Sequence, residues 1–328
     1  MIIKSIISSK FLKSFLKNYK NSLKNKTILI TGSSGFIGQN LQKYLRNNSI
    51  KYISPKSSEY DLRNENHVSK LFSDYQFDTI IHLAGVAGGI NYIKENKTDI
   101  YYSNLMINTL LLKYSLANNI SSIVALNTVN AYPSGISPPF SEEFLFSGLP
   151  EKNISSYGMA KRMMIFQSEL YADTKSIKII NLLSDNIYGP HDIFNRDKAR
   201  VIPANILRCL EAKENNTDIF VWGSGKALRD FVFVDDIIGA IIFSIEEIKE
   251  STYFNVGTGN SISLKKLLNK IASQTNYDGG INWDNSKPEG ELIRLLDVKK
   301  MNQLGYHAKT SIDDGLKKTI EWYRNNIP

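Results

Sequence analysis

Thr31-Gly32-Ser33-Ser34-Gly35-Phe36-Ile37-Gly38 follows directly on the apolar run Ile28-Leu29-Ile30. The order is strand, glycine turn, helix start, with glycines at i, i+3 and i+6, so backbone N–H groups can approach a pyrophosphate at a helix N-terminus. A bound dinucleotide is therefore the first expectation, with a glycine-rich turn that holds no ligand as the alternative. Working outward, short apolar runs alternate with segments that place apolar residues every three or four positions, as βα units feeding a parallel sheet do. Strands are expected at Thr27–Thr31, Lys51–Ser54, Thr79–Leu83, Ser122–Asn127 and Ile177–Leu183. Helical spacing covers Phe36–Arg46, Glu65–Phe72, Ile100–Asn118 and Tyr157–Tyr171. The fold class is α/β, a doubly wound parallel sheet with a smaller C-terminal substrate-binding lobe.

Past Tyr188-Gly189-Pro190 the pattern loosens into loops, with a helix around Ile202–Ala212 and a strand at Ile219–Trp222. Phe231–Phe243 and the strand-like Tyr253–Val256 are expected to return to the main sheet, and Ser263–Gln274 with Ile312–Tyr323 to supply closing helices. The chain then divides into a basic extension (1–26), a dinucleotide-binding part (27–190 and 230–258) and a substrate lobe (191–229 and 259–328).

The bulk properties exclude several classes. A chain of 328 residues with 42% hydrophobic content can bury a full α/β core and a second lobe. It has no apolar run long enough to span a membrane. The lone Cys209 rules out an intrachain disulfide and fits a reducing, cytoplasmic setting. His67, His82, His191 and His307 lie far apart, so no metal site is expected. The net charge of +8 hints at nucleic acid until it is located: Lys4, Lys10, Lys13, Lys17, Lys20, Lys24 and Lys26, with no acid among them, supply +7 of it. The remainder is nearly neutral, so no nucleic-acid-binding face is expected beyond what a phosphate-bearing substrate would need. The leader is an amphipathic basic helix by its spacing. It is open to three readings: packing on this or a partner subunit, weak contact with a membrane surface, or a partly disordered extension.

Tyr157 and Lys161, in Ser155-Ser156-Tyr157-Gly158-Met159-Ala160-Lys161, share a helix face. Spacing alone is weak, since Tyr52 and Lys56 repeat it. Context singles out Tyr157, because it opens a helix close behind a strand that ends at Thr128, where ligands gather in such sheets. A tyrosine ordinarily titrates near 10, and the Lys161 ammonium is expected to draw it toward working pH. Tyr157 can then give a proton to a carbonyl oxygen held by Thr128 while a nicotinamide delivers hydride to its carbon. The competing reading makes Tyr157 a packed aromatic and Thr128 an ordinary strand-end hydroxyl.

The GxxGxxG spacing resembles that of the extended short-chain dehydrogenase/reductases, with a Rossmann-type nucleotide-binding sheet. Further segments narrow the resemblance: Tyr188-Gly189-Pro190-His191-Asp192, Arg200-Val201-Ile202-Pro203-Ala204, Val221-Trp222-Gly223-Ser224-Gly225, Arg229-Asp230-Phe231, Val234-Asp235-Asp236, Asn255-Val256-Gly257-Thr258-Gly259 and Ser286-Lys287-Pro288. Together they are similar to the GDP-L-fucose synthase family, NADPH-dependent epimerase/reductases of GDP-4-keto-6-deoxymannose. The resemblance runs from about Thr27 to the C-terminus. It implies cofactor contacts at Gly32, Ser34, Gly35, Phe36, Ile37 and Gly38, at Asp61-Leu62 on the adenine side, at Leu83-Ala84-Gly85, and at Tyr157 and Lys161, the latter reaching the nicotinamide ribose. NAD-preferring relatives usually carry an acid after the second strand; this chain has Ser54-Pro55-Lys56-Ser57-Ser58. A cation with hydroxyls suits a 2′-phosphate, so NADPH is expected over NADH.

The resemblance also nominates a substrate shell of Asn186, Arg208, Trp222, Arg229 and Arg294, whose arginines can grip a diphosphate. Homodimers are common in the family. The departures carry more meaning. The family's proton-moving cysteine and histidine fall on Asn130 and Arg200, and neither an amide nor a guanidinium exchanges protons near neutrality. Asn130 and Arg200 become substrate contacts instead. With Thr128, Tyr157 and Lys161 intact, the expected activity is reduction at C4 of a nucleotide-linked, GDP-type 4-keto-6-deoxy-sugar, hexose or heptose, without 3,5-epimerisation. The alternatives are a 4-epimerase that retains NAD, a bifunctional epimerase/reductase, and a dinucleotide-sensing scaffold.

Overall fold

The computed structural model describes residues 23–174, 177–196, 198–286 and 290–327. The amphipathic leader up to residue 22, and Lys287-Pro288 of the Ser286-Lys287-Pro288 segment, lie outside the described residues. Leu23, where description begins, is already buried in the main core.

The first half alternates β1 (Thr27–Thr31), α1 (Phe36–Asn47), β2 (Lys51–Ile53), α2 (Glu65–Asp74), β3 (Thr79–His82), α3 (Ile90–Glu95), α4 (Lys97–Ala117), β4 (Ser122–Thr128), α5 (Ser155–Ala172) and β5 (Lys178–Ser184). The second half contains β6 (Ile187–Tyr188), α6 (Val201–Asn215), β7 (Ile219–Trp222), β8 (Leu228–Arg229), β9 (Val232–Phe233), α7 (Val234–Glu247), β10 (Thr252–Val256), β11 (Ile262–Ser263), α8 (Leu264–Thr275), β12 (Ile281–Asp284), β13 (Ile293–Arg294), α9 (Lys299–Gln303) and α10 (Ile312–Asn326).

Six strands form one parallel sheet in the order β10-β5-β4-β3-β1-β2. Its strands read as unbroken apolar runs because both faces are covered. Ile28, Ile30, Ile81, Val124, Ile180 and Leu182 face one cluster with Leu41 of α1 and Ile237 of α7. The residues between them, Leu29, Ile80, Ile123, Ala125 and Ile179, face a second with Val68 of α2 and Leu111 of α4. The chain steps outward from β1 to β2, then back past β1 to β3. The crevice that this reversal opens at the strand C-termini is where ligands bind in such sheets.

Residues 231–243 differ in part from expectation. Only the two residues of β9 are extended, and they pair with β6 outside the main sheet. From Val234 the chain is helical, because Asp235 and Asp236 favour a helix N-terminus and the apolar residues recur every three or four positions. Tyr253–Val256 does join the sheet, as its β10 edge. Three small sheets, β11-β8-β13, β12-β7 and β6-β9, complete the second half.

Candidate active site

The glycine turn is built by close backbone approach. Gly32 has φ +68°, and a Cβ there would lie 2.7 Å from the Ala84 nitrogen. A Cβ on Gly38 would lie 2.4 Å from the Gly32 carbonyl oxygen and 2.6 Å from Ser33 Cα. Gly35 caps α1 with no side-chain hydrogen bond, and the first turn contains no acid. The N–H groups of that turn are thus left to an anion, assisted by the helix dipole. Gln39 and Gln42 donate to the carbonyls of Ser34 and Ser33 and hold the loop. Thr31 Oγ1 accepts from the N–H groups of Leu83 and Ala84, which ties Leu83-Ala84-Gly85 to the turn. These residues fit a dinucleotide pyrophosphate: the cradle that a Cβ would fill is kept open, and no side chain caps the start of α1.

Lys56 lies exposed beyond β2, on the same sheet edge as the glycine turn. Asp61 is gripped by Arg63, whose Nε and Nη2 lie 3.0 Å and 2.7 Å from its two oxygens. That pairing holds its carboxyl below the usual range. Leu62 packs against the second core cluster.

Thr128 ends β4, and its Oγ1 accepts from the Asn130 N–H at 3.2 Å, which leaves the hydroxyl proton to donate elsewhere. The turn at 129–131 lies against α5 so closely that a Cβ on Gly158 would meet the Asn130 carbonyl oxygen at 2.1 Å. The glycine after Tyr157 therefore lets the turn that follows Thr128 pack against the start of α5. Arg162 secures the same turn from one helical turn further on: it is buried, and its Nε donates to the Ala131 carbonyl at 2.7 Å.

Lys161 is buried, with its Nζ 3.4 Å from the Leu126 carbonyl oxygen and 3.3 Å from where a Cβ on Gly85 would stand. Burial pulls its ammonium down to about 8. Tyr157 is partly exposed yet surrounded by protein, and burial pushes its phenol up to about 12. The expected acidification by Lys161 is not what this arrangement does. The charge that offsets burial at Tyr157 is Arg200.

Arg200 stands at the N-terminus of α6, its Nη2 2.8 Å from Oδ1 of the buried Asp192 and its guanidinium 5.3 Å from the ring centre of Phe36. It thus lies between the glycine turn and Tyr157. On the opposite side, Arg229 and Arg294 are register partners on β8 and β13. Arg294 pairs with Glu291 at 2.9 Å and reaches Asn130 Oδ1 at 3.5 Å, while Arg229 donates to the Glu291 carbonyl. Asn186, with φ 35°, spends its amide donor on Asp185 and on the Asp230 carbonyl. Arg208 of α6 bonds Asn205, and Trp222 at the end of β7 is 75% exposed. The hydrogen bond of Arg208 stays within α6 and does not reach Thr128, Tyr157 or Lys161.

Three acids in this region were absent from the sequence reading. Asp185 follows β5 and faces Arg294 and Arg229. Asp192 anchors Arg200. Asp230 accepts from the N–H groups of Thr258 and Gly259, which explains the Asn255-Val256-Gly257-Thr258-Gly259 segment, and burial pushes its carboxyl up to about 6. Asp192 and Asp230 lie inside segments already quoted for other reasons, Asp185 lies just before one, and only the fold reveals their partners.

The chain matches the model of the NAD dependent epimerase/dehydratase family over residues 28–257. It is similar to the GDP-L-fucose synthase of Escherichia coli (strain K12), at 29% identity over 315 residues covering 93% of this chain and 98% of that protein. The GDP-L-colitose synthase of Yersinia pseudotuberculosis is 27% identical over 301 residues, covering 91% and 98%. Among solved structures, a GDP-mannoheptose C4 reductase from Campylobacter jejuni with NADP bound is similar with a TM-score of 0.84 at 27% identity, covering 92% of this chain and 99% of that one.

Proposed function

The chain belongs to the NAD dependent epimerase/dehydratase family, and from that premise we propose that it reduces the C4 carbonyl of a GDP-linked 4-keto-6-deoxy-sugar, hexose or heptose, without epimerising C3 or C5. The coarser statement is plain: it is an NADP-dependent oxidoreductase of the GDP-sugar synthase and reductase group. The observation that carries the finer one is the state of positions 130 and 200. Asn130 is an amide held by Arg294, and Arg200 is a guanidinium paired with a buried carboxylate. Neither can move a proton at a carbon beside the carbonyl.

NADPH, when bound at the Gly32–Gly38 turn, supplies the hydride. The chain's own groups do the rest. Thr128 donates its hydroxyl proton to the carbonyl oxygen and orients it. Tyr157, kept as a phenol by burial, is in the form needed to protonate that oxygen. Lys161, beside Gly85, is placed for the nicotinamide ribose. Arg200 stabilises negative charge at Tyr157 once its proton has left.

In this reading residues 27–190 and 230–258 hold the cofactor, and 191–229 and 259–328 hold the sugar nucleotide. Tyr101 and Tyr102 of α4, and Phe166 and Leu170 of α5, are exposed apolar groups on two adjacent helices. They support a homodimer formed through that pair. Among the described residues no helix is long and apolar enough to cross a membrane, and a cytoplasmic enzyme is part of the same proposal.

The test is incubation with NADPH and GDP-4-keto-6-deoxymannose in deuterated water. The expected result is NADPH oxidation with no deuterium at C3 or C5. Deuterium at either carbon overturns the reductase-only reading.

A further inference from the structure

Strands β4 and β5 stay paired to their ends, with Thr128 opposite Ser184. In-register residues of parallel neighbours project from the same face of a sheet, so the Ser184 side chain leaves the sheet beside that of Thr128. Ser184 is 3% exposed, and its Oγ has no hydrogen-bond partner. A buried hydroxyl left unpaired is costly, which marks this atom as a group awaiting a ligand.

The next residue supplies the complementary function. Asp185 Oδ2 accepts from Asn186 Nδ2 at 2.8 Å, and the Asn186 backbone N–H also favours the carboxylate, which keeps acceptor capacity for a further donor. Burial pushes the Asp185 carboxyl up, and Arg294 and Arg229 oppose that shift by favouring its ionised form, yet neither comes within 4.0 Å of it. A small polar group fits such a gap. Asp185 and Glu291 also balance the two arginines charge for charge, so this end of the site is neutral overall. An uncharged polyol can enter such a site without leaving a charge unbalanced. An ionised carboxylate only accepts hydrogen bonds, whereas a serine hydroxyl both donates and accepts. One ligand hydroxyl can satisfy both, donating to Asp185 and accepting from Ser184.

We propose that Ser184 and Asp185 form a hydroxyl-binding subsite for the sugar ring, next to the carbonyl that Thr128 and Tyr157 address. The proposal rests on the nucleotide-sugar reading of the site and adds which side chains recognise the sugar rather than the nucleotide. It assigns Asp185 to substrate binding and to no proton transfer.

Calorimetric titration of the NADP-loaded enzyme with GDP-mannose and, separately, with GDP tests it. The wild type binds GDP-mannose more tightly than GDP. Asp185→Asn, which keeps the shape and removes the charge, weakens GDP-mannose by roughly 10- to 100-fold, as loss of a hydrogen bond to a charged group implies, and leaves GDP unchanged. Ser184→Ala weakens GDP-mannose by a few-fold, again with GDP unchanged. Equal losses for both ligands in Asp185→Asn would show that Asp185 only props up the arginines, and would overturn the subsite. So would no loss at all, or a wild type that gains nothing from the mannose. NADPH oxidation decides the parent reading separately: an enzyme that shows the Asp185 effect yet oxidises no NADPH with a 4-keto sugar keeps the subsite and loses the reductase.

Discussion

The glycine turn at the end of β1 and the polar cluster at the ends of β4 and β5 occupy the same edge of one sheet, but in the proposed reading they recognise their ligands by different means. At the turn, recognition is done by backbone: Gly32 and Gly38 remove side chains so that N–H groups at the start of α1 stand open. Around Thr128 it is done by side chains that converge from distant segments, with Arg200 on one flank and Asp185, Arg229 and Arg294 on the other. The first arrangement has no charged side chain at its centre. The second is a set of opposed charges held at fixed spacing, where a change of one residue alters the chemistry and leaves the fold.

Removing one atom from the second region gives the largest expected effect. Tyr157→Phe lowers kcat by about 10³-fold, within the span typical of a lost general acid, and leaves NADPH affinity within a factor of about two, since the phenol is not part of the glycine cradle. The wild-type pH profile sharpens the assignment. Lys161 is an ammonium below about 8 and neutral above it, whereas Tyr157, pushed up to about 12, stays a phenol throughout. Reduction should therefore hold steady from pH 6 to 7.5 and fall roughly tenfold per unit above about 8. A basic limb beginning only near pH 10 would remove Lys161 from the reaction.

Adding one atom to the first region breaks it in the opposite sense. In Gly38→Ala the new Cβ lies 2.4 Å from the Gly32 carbonyl oxygen and 2.6 Å from both Cα and the carbonyl oxygen of Ser33. All three are backbone, so no rotamer change relieves the clash, and the turn must open. Overpacking of this kind costs about 2–3 kcal/mol, to be seen in denaturant melts. NADPH affinity falls by at least about 30-fold because the donors are displaced, while GDP binding measured on the folded variant is preserved. Equal loss of NADPH and GDP affinity would mean that the two regions are not separable.

The same contrast decides what could be read from the sequence. The five leading strands, α1 and the glycine turn are encoded by neighbours: apolar runs, glycines at fixed intervals, helical periodicity. Tyr157 and Lys161 are legible because their shared helix face follows the strand that ends at Thr128. The cluster around Thr128 is different, since Asp185 and Arg294 are far apart in the chain and meet only through β5, β8 and β13. Arg200 was nominated by resemblance, but its salt bridge to Asp192 and its stacking over Phe36 are facts of packing. The effect of Lys161 on Tyr157 was misjudged for a related reason: spacing gives proximity, and burial decides the sign of a pKa shift.

The smallest predicted effect concerns the one charged side chain through which the first region discriminates. Lys56 is exposed on the loop beyond β2, next to β1 at the sheet edge. A cation in that position favours a 2′-phosphate over a 2′-hydroxyl, but an exposed charge pair contributes little, at most about 1 kcal/mol. Lys56→Ala should therefore raise the KM for NADPH by only about three- to fivefold and leave that for NADH unchanged. The difference should shrink as salt is raised from 50 to 500 mM, because screening lengths fall to a few ångströms. A change of a hundredfold or more would mean that Lys56 is buried by the bound cofactor and that side-chain charge governs recognition here too. No change at all would assign the 2′-phosphate to the loop hydroxyls of Ser54, Ser57 and Ser58, and the first region would then be read by uncharged groups throughout.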